Sequence, residues 1–197
     1  MNTSLADYLD SLYQLGREHD APLADRLLRL RNMTPGAAGL IALLVRVQGS
    51  RRVVEIGTSN GYSAIWVGDA VRDTGGHLET VEIDAARVDQ ARANIAAAGV
   101  ADQVTVIHAD GGEVLAASPD GSVDLVVLDA ERPAYVGYWP QLQRVLSPRG
   151  VVAVDNALSH QEQVAAFRDL VTADGRFAVQ LHEVGDGVLT VVRLQQS

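Results

Sequence analysis

Cysteine is absent from the 197-residue chain. That excludes disulfides, thiolate metal sites and cysteine nucleophiles, while leaving compartment open. No apolar stretch reaches the ~18 residues that cross a bilayer, so no membrane partner is expected. The amino terminus, MNTSLADYLD, lacks a basic segment followed by an apolar one. No secretory signal is therefore expected, and a cytoplasmic setting is the default. Positive charge is also scarce: 16 basic residues against 25 acidic ones give a formal net charge of −9. A surface of that sign grips phosphate backbones poorly, so nucleic acid is not an expected partner. The densest basic stretch, RLLRLRN at 26–32, is short and at helical spacing and reads as a solvated helix face. What the chain does have is apolar content, 47% of its residues, enough to bury the core of one ordinary domain.

Hydrophobic periodicity divides the chain near residue 50. Leu5, Leu9, Leu12, Tyr13, Leu23, Leu27 and Leu28 recur at helical spacing, which predicts one or two helices over residues 5–31. The segment APLADRLL begins with Ala-Pro, a good first helical turn. A further helix is opened by Thr34-Pro35 and closed by Gly49-Ser50. From residue 52 short β-branched runs alternate with helical ones: RVVEIG, HLETVEI, QVTVIHA, SVDLVVLD and VVAVDN are strands. YVGYWPQLQRVL reads as a helix with a break near Pro140, followed by a turn at SPRG. FAVQLHEV and VLTVVRL, joined through Gly-Asp-Gly, read as a closing hairpin. The alternation predicts an α/β fold: a Rossmann-like, doubly wound, mostly parallel seven-stranded sheet. The hairpin contributes an antiparallel strand at the end of the sheet. One domain results, with residues 1–50 as a helical cap on a core at 51–197.

In such sheets ligands bind beyond the carboxyl ends of the strands. Those ends carry Gly57, Glu82, Asp110, Asp129 and Asp155-Asn156. Each has a plain structural reading: a glycine turn, or an aspartate helix cap, as Asp84 and Asp110 could be. Five on one edge point to a ligand site. Glu82 follows Gly57 by 25 residues, a separation at which an acid takes the ribose hydroxyls of a nucleotide. The turn itself, EIGTSNGYSAIW, has G-x-x-x-G and lacks the G-x-G-x-x-G of dinucleotide enzymes. S-adenosylmethionine carries no phosphate for such a turn to hold. It carries an amino-acid end, for which Thr58, Ser59, Asn60 and Ser63 offer hydrogen bonds and Glu55 an acid near the ammonium.

VVEIGTSNGYSA, VEID, VDLVVLDAERPAY, VVAVDNAL and VGDGVLTVVR, in that order, resemble the bacterial O-methyltransferase family related to catechol and caffeoyl-CoA O-methyltransferases. These are class I S-adenosylmethionine-dependent enzymes, and the resemblance runs from about Met33 to Arg193. It implies that Glu55, Gly57 and Gly61 form the cofactor turn and that Ser63 reaches the methionine carboxylate. It implies that Glu82 holds the ribose, that Asp110 and Gly111 flank the adenine, and that Ala130 lines its other face. Met33 stands where the family has a cofactor contact. Asp129, Asp155 and Asn156 match the family's divalent-metal ligands. Two carboxylates and an amide offer only oxygen, which suits Mg²⁺ or Ca²⁺. Such an ion would take two vicinal hydroxyls of a small, catechol-like acceptor and acidify one. The plainer alternative has Asp129 binding cofactor or substrate and Asp155-Asn156 starting a turn. Relatives are often dimers, so a homodimer is expected.

Two departures stand out. Where the family has a lysine, discussed as the base, the segment DAERPAY has Arg132. An arginine stays protonated and cannot be a general base, although it can stabilise an oxyanion or grip an acidic substrate. His160 is the alternative base, its plain reading being a surface histidine at a helix start. The chain also passes almost directly from DNAL to the next helix, where many relatives carry a longer substrate loop. Tyr135, Tyr138 and Trp139 either line an aromatic pocket or pack in the core. Rival readings are a metal-free methyltransferase using Arg132 and His160, a nicotinamide dehydrogenase, and a non-catalytic cofactor sensor.

Overall fold

The structure, a computed structural model, describes residues 1, 3–25 and 28–195. Helix α1 (Thr3–Asp20) is amphipathic, burying Leu5, Leu9 and Leu12. Helix α2 (Pro35–Gln48) has the expected ends: Thr34 caps it, accepting from the Ala37 N–H at 3.4 Å, and left-handed Gly49 stops it. Then β1 (Arg52–Ile56), α3 (Tyr62–Thr74), β2 (His77–Glu82), α4 (Ala85–Ala97) and β3 (Val104–His108) follow. They lead to α5 (Gly111–Ala117), β4 (Val123–Leu128), α6 (Tyr135–Val145) and β5 (Leu146–Val154). Helix α7 (Gln161–Thr172), β6 (Phe177–His182) and β7 (Val188–Arg193) complete the chain.

The seven strands lie in the order β3-β2-β1-β4-β5-β7-β6. Strands β1 to β5 pair in parallel, and β7 runs antiparallel to both β5 and β6. Alternation along each strand feeds two cores. Val53, Leu125 and Val127 face the core shared with α1 to α4. Val54, Val126 and Leu128 face the core that holds Leu142, Phe167 and Val171 of α6 and α7. Both faces of β4 are buried, which is why its sequence is nearly all apolar. The chain order reverses between β1 and β4, and the crevice at their carboxyl ends is the topological switch point.

Four expectations are corrected here. After α1 no α-helix forms in residues 21–25 or 28–34, where Leu28 alone is in 3-10 conformation. The Asp20 carboxylate instead accepts the backbone N–H groups of Leu30 (2.7 Å) and Arg31 (2.8 Å), and Ser59 Oγ donates to the Leu30 carbonyl (2.7 Å). The basic stretch is therefore a strap tied down beside the crevice; Arg26 and Leu27 lie outside the described residues. Strand β7 lies between β5 and β6, so the antiparallel strand is internal and β6 is the edge. Helix α6 runs through Pro140, which is exposed. Finally, SPRG belongs to β5, whose pairing with β4 jumps from Leu146 to Val151 around left-handed Arg149.

Candidate functional site

Gly57 ends β1 with φ +103°, and a Cβ there would stand 2.3 Å from the Asp129 carbonyl oxygen. Only glycine lets β1 and the loop after β4 close on each other, and the two are stitched by Asp129 N–H to the Ile56 carbonyl at 2.9 Å. Above this contact opens a cavity of about 240 Å³. Gly57, Ser59, Glu82, Asp129, Arg132 and Asn156 are among the residues on its wall. Ser59, Asn156 and Arg31, which also lines it, have φ between +49° and +60°. Backbone conformations that side chains rarely adopt thus gather at one crevice, as they do at functional sites. A larger cleft, about 570 Å³ near Phe177 and Arg193, lies at the opposite, amino edge of the parallel strands and contains none of these residues.

Glu82 is buried, and its carboxylate is held by three backbone donors: Ser59 N–H (2.8 Å), Ile83 N–H (3.0 Å) and Asp84 N–H (3.1 Å). It is oriented toward the cavity without help from a ligand. Beneath it Glu55 is fully buried and accepts from Thr80 Oγ1 at 2.6 Å. Burial raises the Glu55 carboxyl to about 7; the Ser63 and Thr80 hydroxyls pull against that, and the Glu82 charge adds to it. Next to the cavity, Met33, Thr58, Ser59, Asn60, Ser63 and Asp129 border a small recess of about 10 Å³. Asn60 Nδ2 is buried there without a hydrogen-bond partner.

At the other end stand the acids. Asp129 is raised well above the usual carboxylate range, first by burial and then by the Asp155 and Glu55 charges, with Arg132 and Arg31 opposing. Asp155 is raised to about 7, again mainly by burial, with Asp186 adding to it. Arg132 sits on a 3-10 turn (Arg132–Ala134), buried to 3% exposure. Its Nη2 donates to Asn156 Oδ1, and Asn156 Nδ2 donates to Asp155 Oδ2 at 2.9 Å. The acid pair is thus linked through an amide to a buried guanidinium.

Comparison with known proteins decides the family. The O-methyltransferase family profile matches residues 24–194. The chain belongs to the O-methyltransferase family. A Mycobacterium tuberculosis relative named a probable O-methyltransferase is 33% identical over 174 residues, 82% of this chain and 77% of that one. Among solved structures, the O-methyltransferase TomG of Streptomyces achromogenes, in complex with S-adenosylmethionine, superposes with a TM-score of 0.75 at 26% identity. That match covers 99% of this chain and 91% of the other. A Bacillus cereus O-methyltransferase in complex with S-adenosylhomocysteine shares the fold, with a TM-score of 0.76 at 22% identity over 95% and 91% of the two chains.

Within this methyltransferase fold, the sequence-predicted residues divide. Gly57, Ser59, Glu82, Asp129, Ala130, Arg132 and Asn156 share the cavity wall; Met33, Thr58 and Ser63 border the recess. Gly61 shapes the turn, its N–H donating to the Thr58 carbonyl at 2.9 Å. Asp110 and Gly111 are not on either wall. Asp110 caps α5, accepting from the Gly112 (2.8 Å) and Glu113 (3.2 Å) N–H groups, and Gly111 packs on Ile56. His160 starts α7, its backbone N–H donating to the Asn156 carbonyl at 3.0 Å, while its Nδ1 pairs with Ser159 Oγ at 2.9 Å. Tyr135 and Trp139 are core: the Tyr135 hydroxyl bonds the Ala130 backbone at 2.9 Å, and Trp139 packs edge-on against Phe167 and Phe177.

Sequence reasoning missed Arg31 and Thr80. No motif marks Arg31, which reaches the site because the strap is tied to Asp20. Thr80 had a signal: it lies two residues before Glu82 on one strand, hence on the same face.

Proposed function

We propose that this chain transfers a methyl group from S-adenosylmethionine to a hydroxyl of a small, aromatic acceptor. The observation that carries the reading is Glu82, fixed by three backbone N–H groups on the wall of a cavity at the β1/β4 switch point. Two of those donors fill Oε1, so the lone pair left on Oε2 suits one ribose hydroxyl. The glycine at Gly57 lets β1 and the loop after β4 meet beneath the cavity, and Asn60 Nδ2, buried without a hydrogen-bond partner, suits the cofactor's amino-acid end. Glu55, through Ser63, biases that end toward an ammonium. The cofactor supplies an electrophilic methyl on a sulfonium sulfur. The acceptor oxygen forms the new C–O bond as the C–S bond breaks, and the electron pair stays on sulfur. We assign the hydroxyl proton to His160, which begins the helix beyond Asn156.

Asp129, Asp155 and Asn156, expected to hold Mg²⁺ or Ca²⁺, do come together, and by chemistry alone they suit a hard cation. As arranged here they do not fit one. The Asn156 amide oxygen is taken by Arg132 and its nitrogen by Asp155, and the buried guanidinium already places a positive charge in the group.

The reading also includes pairing with a second copy. Leu43 (54% exposed) and Val47 (78%) lie one turn apart on α2, an apolar face with no covering partner among the described residues. The reaction is tested by incubating the protein with S-adenosylmethionine and a panel of phenols and catechols. Methylated product by mass spectrometry, with one S-adenosylhomocysteine per methyl, is the expected result. Cofactor binding without transfer across the panel would favour a non-catalytic sensor.

A further inference from the structure

The chain contains no lysine; all 16 of its Lys and Arg residues are arginine. Arginine at position 132 is therefore part of a chain-wide pattern, and its identity alone carries no argument. Its placement does. The guanidinium is buried, donates through Nη2 to Asn156 Oδ1, and has Nε and Nη1 buried without acceptors. Asp155 Oδ1, in the same linked group, is buried without a donor. Charge cannot stay buried unless it is compensated. Two carboxylates and one guanidinium leave a small residual charge, whereas two carboxylates alone would draw in a dication. A dication beside the guanidinium would face a fixed positive charge and lose the amide oxygen as a ligand.

We propose that Arg132 is the built-in cation of this active site: it stands in the place of a divalent ion and holds the acceptor oxygen as charge develops on it. The inference rests on the methyl-transfer reading above. The acceptor hydroxyl gives its proton to His160, and its oxygen forms the C–O bond. The C–S bond opens with its pair left on sulfur, while Arg132 exchanges no atoms. Chelation by a dication requires two adjacent oxygens, but a guanidinium can steady one. Acceptors with a single hydroxyl should therefore react alongside catechols.

The test is a Mn²⁺ titration followed by electron paramagnetic resonance, with S-adenosylhomocysteine binding measured by calorimetry in the same samples. Wild type should leave the free Mn²⁺ signal unchanged and should turn over equally with and without EDTA. Arg132→Ala should take up one Mn²⁺ per chain. Its turnover in EDTA should fall about 100-fold, as loss of a charge-stabilising donor does, and should partly return with Mn²⁺. If Arg132→Ala does not fold, the wild-type Mn²⁺ titration and its turnover in EDTA still decide the matter. Stoichiometric Mn²⁺ binding by wild type, loss of its turnover in EDTA, or a folded Arg132→Ala that takes up no Mn²⁺ would overturn the proposal. Failure of the methyl-transfer reading registers separately, as absence of S-adenosylhomocysteine binding or as binding with no methylated product in any sample.

Discussion

At the scale of single residues, the site is built from carboxylates in unlike surroundings. Glu82 has three backbone donors and one lone pair left for ribose. Glu82→Ala should weaken S-adenosylhomocysteine binding by about 1–3 kcal/mol, as loss of a charged hydrogen bond does, measured by calorimetry. Unchanged affinity would remove Glu82 from the cofactor site. Glu55 is the opposite case, buried with its carboxyl raised from 4.5 to about 7. Between those values the folded chain binds more protons than the unfolded chain. Its contribution to stability is therefore greatest below about pH 4.5 and is lost as pH rises toward 7. Asp155, also raised to about 7, acts in the same direction. Glu55→Gln should raise the melting temperature at pH 8 relative to wild type and flatten the fall between pH 5 and 7. An unchanged slope would show that Glu55 is not the buried acid at work. His160 has a separate readout: His160→Ala should lower turnover and remove the acidic limb of the pH–rate profile. An unaltered profile would dismiss it as the base.

At the scale of elements, the site depends on loops that the sheet edge brings together. The Gly-Asp-Gly loop before β7 packs on the turn after Asn156: the Ala157 N–H donates to the Gly187 carbonyl at 2.9 Å. Gly187 has φ +89°, and a Cβ there would meet the Leu158 N and Cγ at 2.6 and 2.5 Å. Gly187→Ala should cost more than about 1 kcal/mol in thermal unfolding, because both backbone and neighbour must move. It should also slow turnover through Asn156; a variant as stable and active as wild type would mean the loop does not support the site. These elements were largely legible. Strand ends at Gly57, Glu82 and Asp129 followed from apolar runs meeting a glycine or an acid. The strap was not, because Asp20 and Ser59 override the helical spacing of its leucines with bonds from distant parts of the chain. Asp110 was legible as the cap of α5, one of the two roles an aspartate at a strand end serves. Periodicity marked β7 as a strand, but insertion between β5 and β6 is a matter of tertiary pairing that alternation does not encode.

At the scale of the whole molecule, the doubly wound sheet places its two cores on opposite faces and leaves one crevice at the switch point. No helix among the described residues is long and apolar enough to cross a membrane. The proposed pairing rests on the exposed turn of α2. Val47→Glu should shift the sedimentation profile from dimer to monomer; a monomeric wild type would contradict the pairing. What the crevice holds is tested most directly by calorimetric titration of the wild-type chain with S-adenosylhomocysteine and, separately, with NAD. The predicted result is one S-adenosylhomocysteine bound per chain and no heat from NAD. Binding of NAD with none of S-adenosylhomocysteine would contradict it.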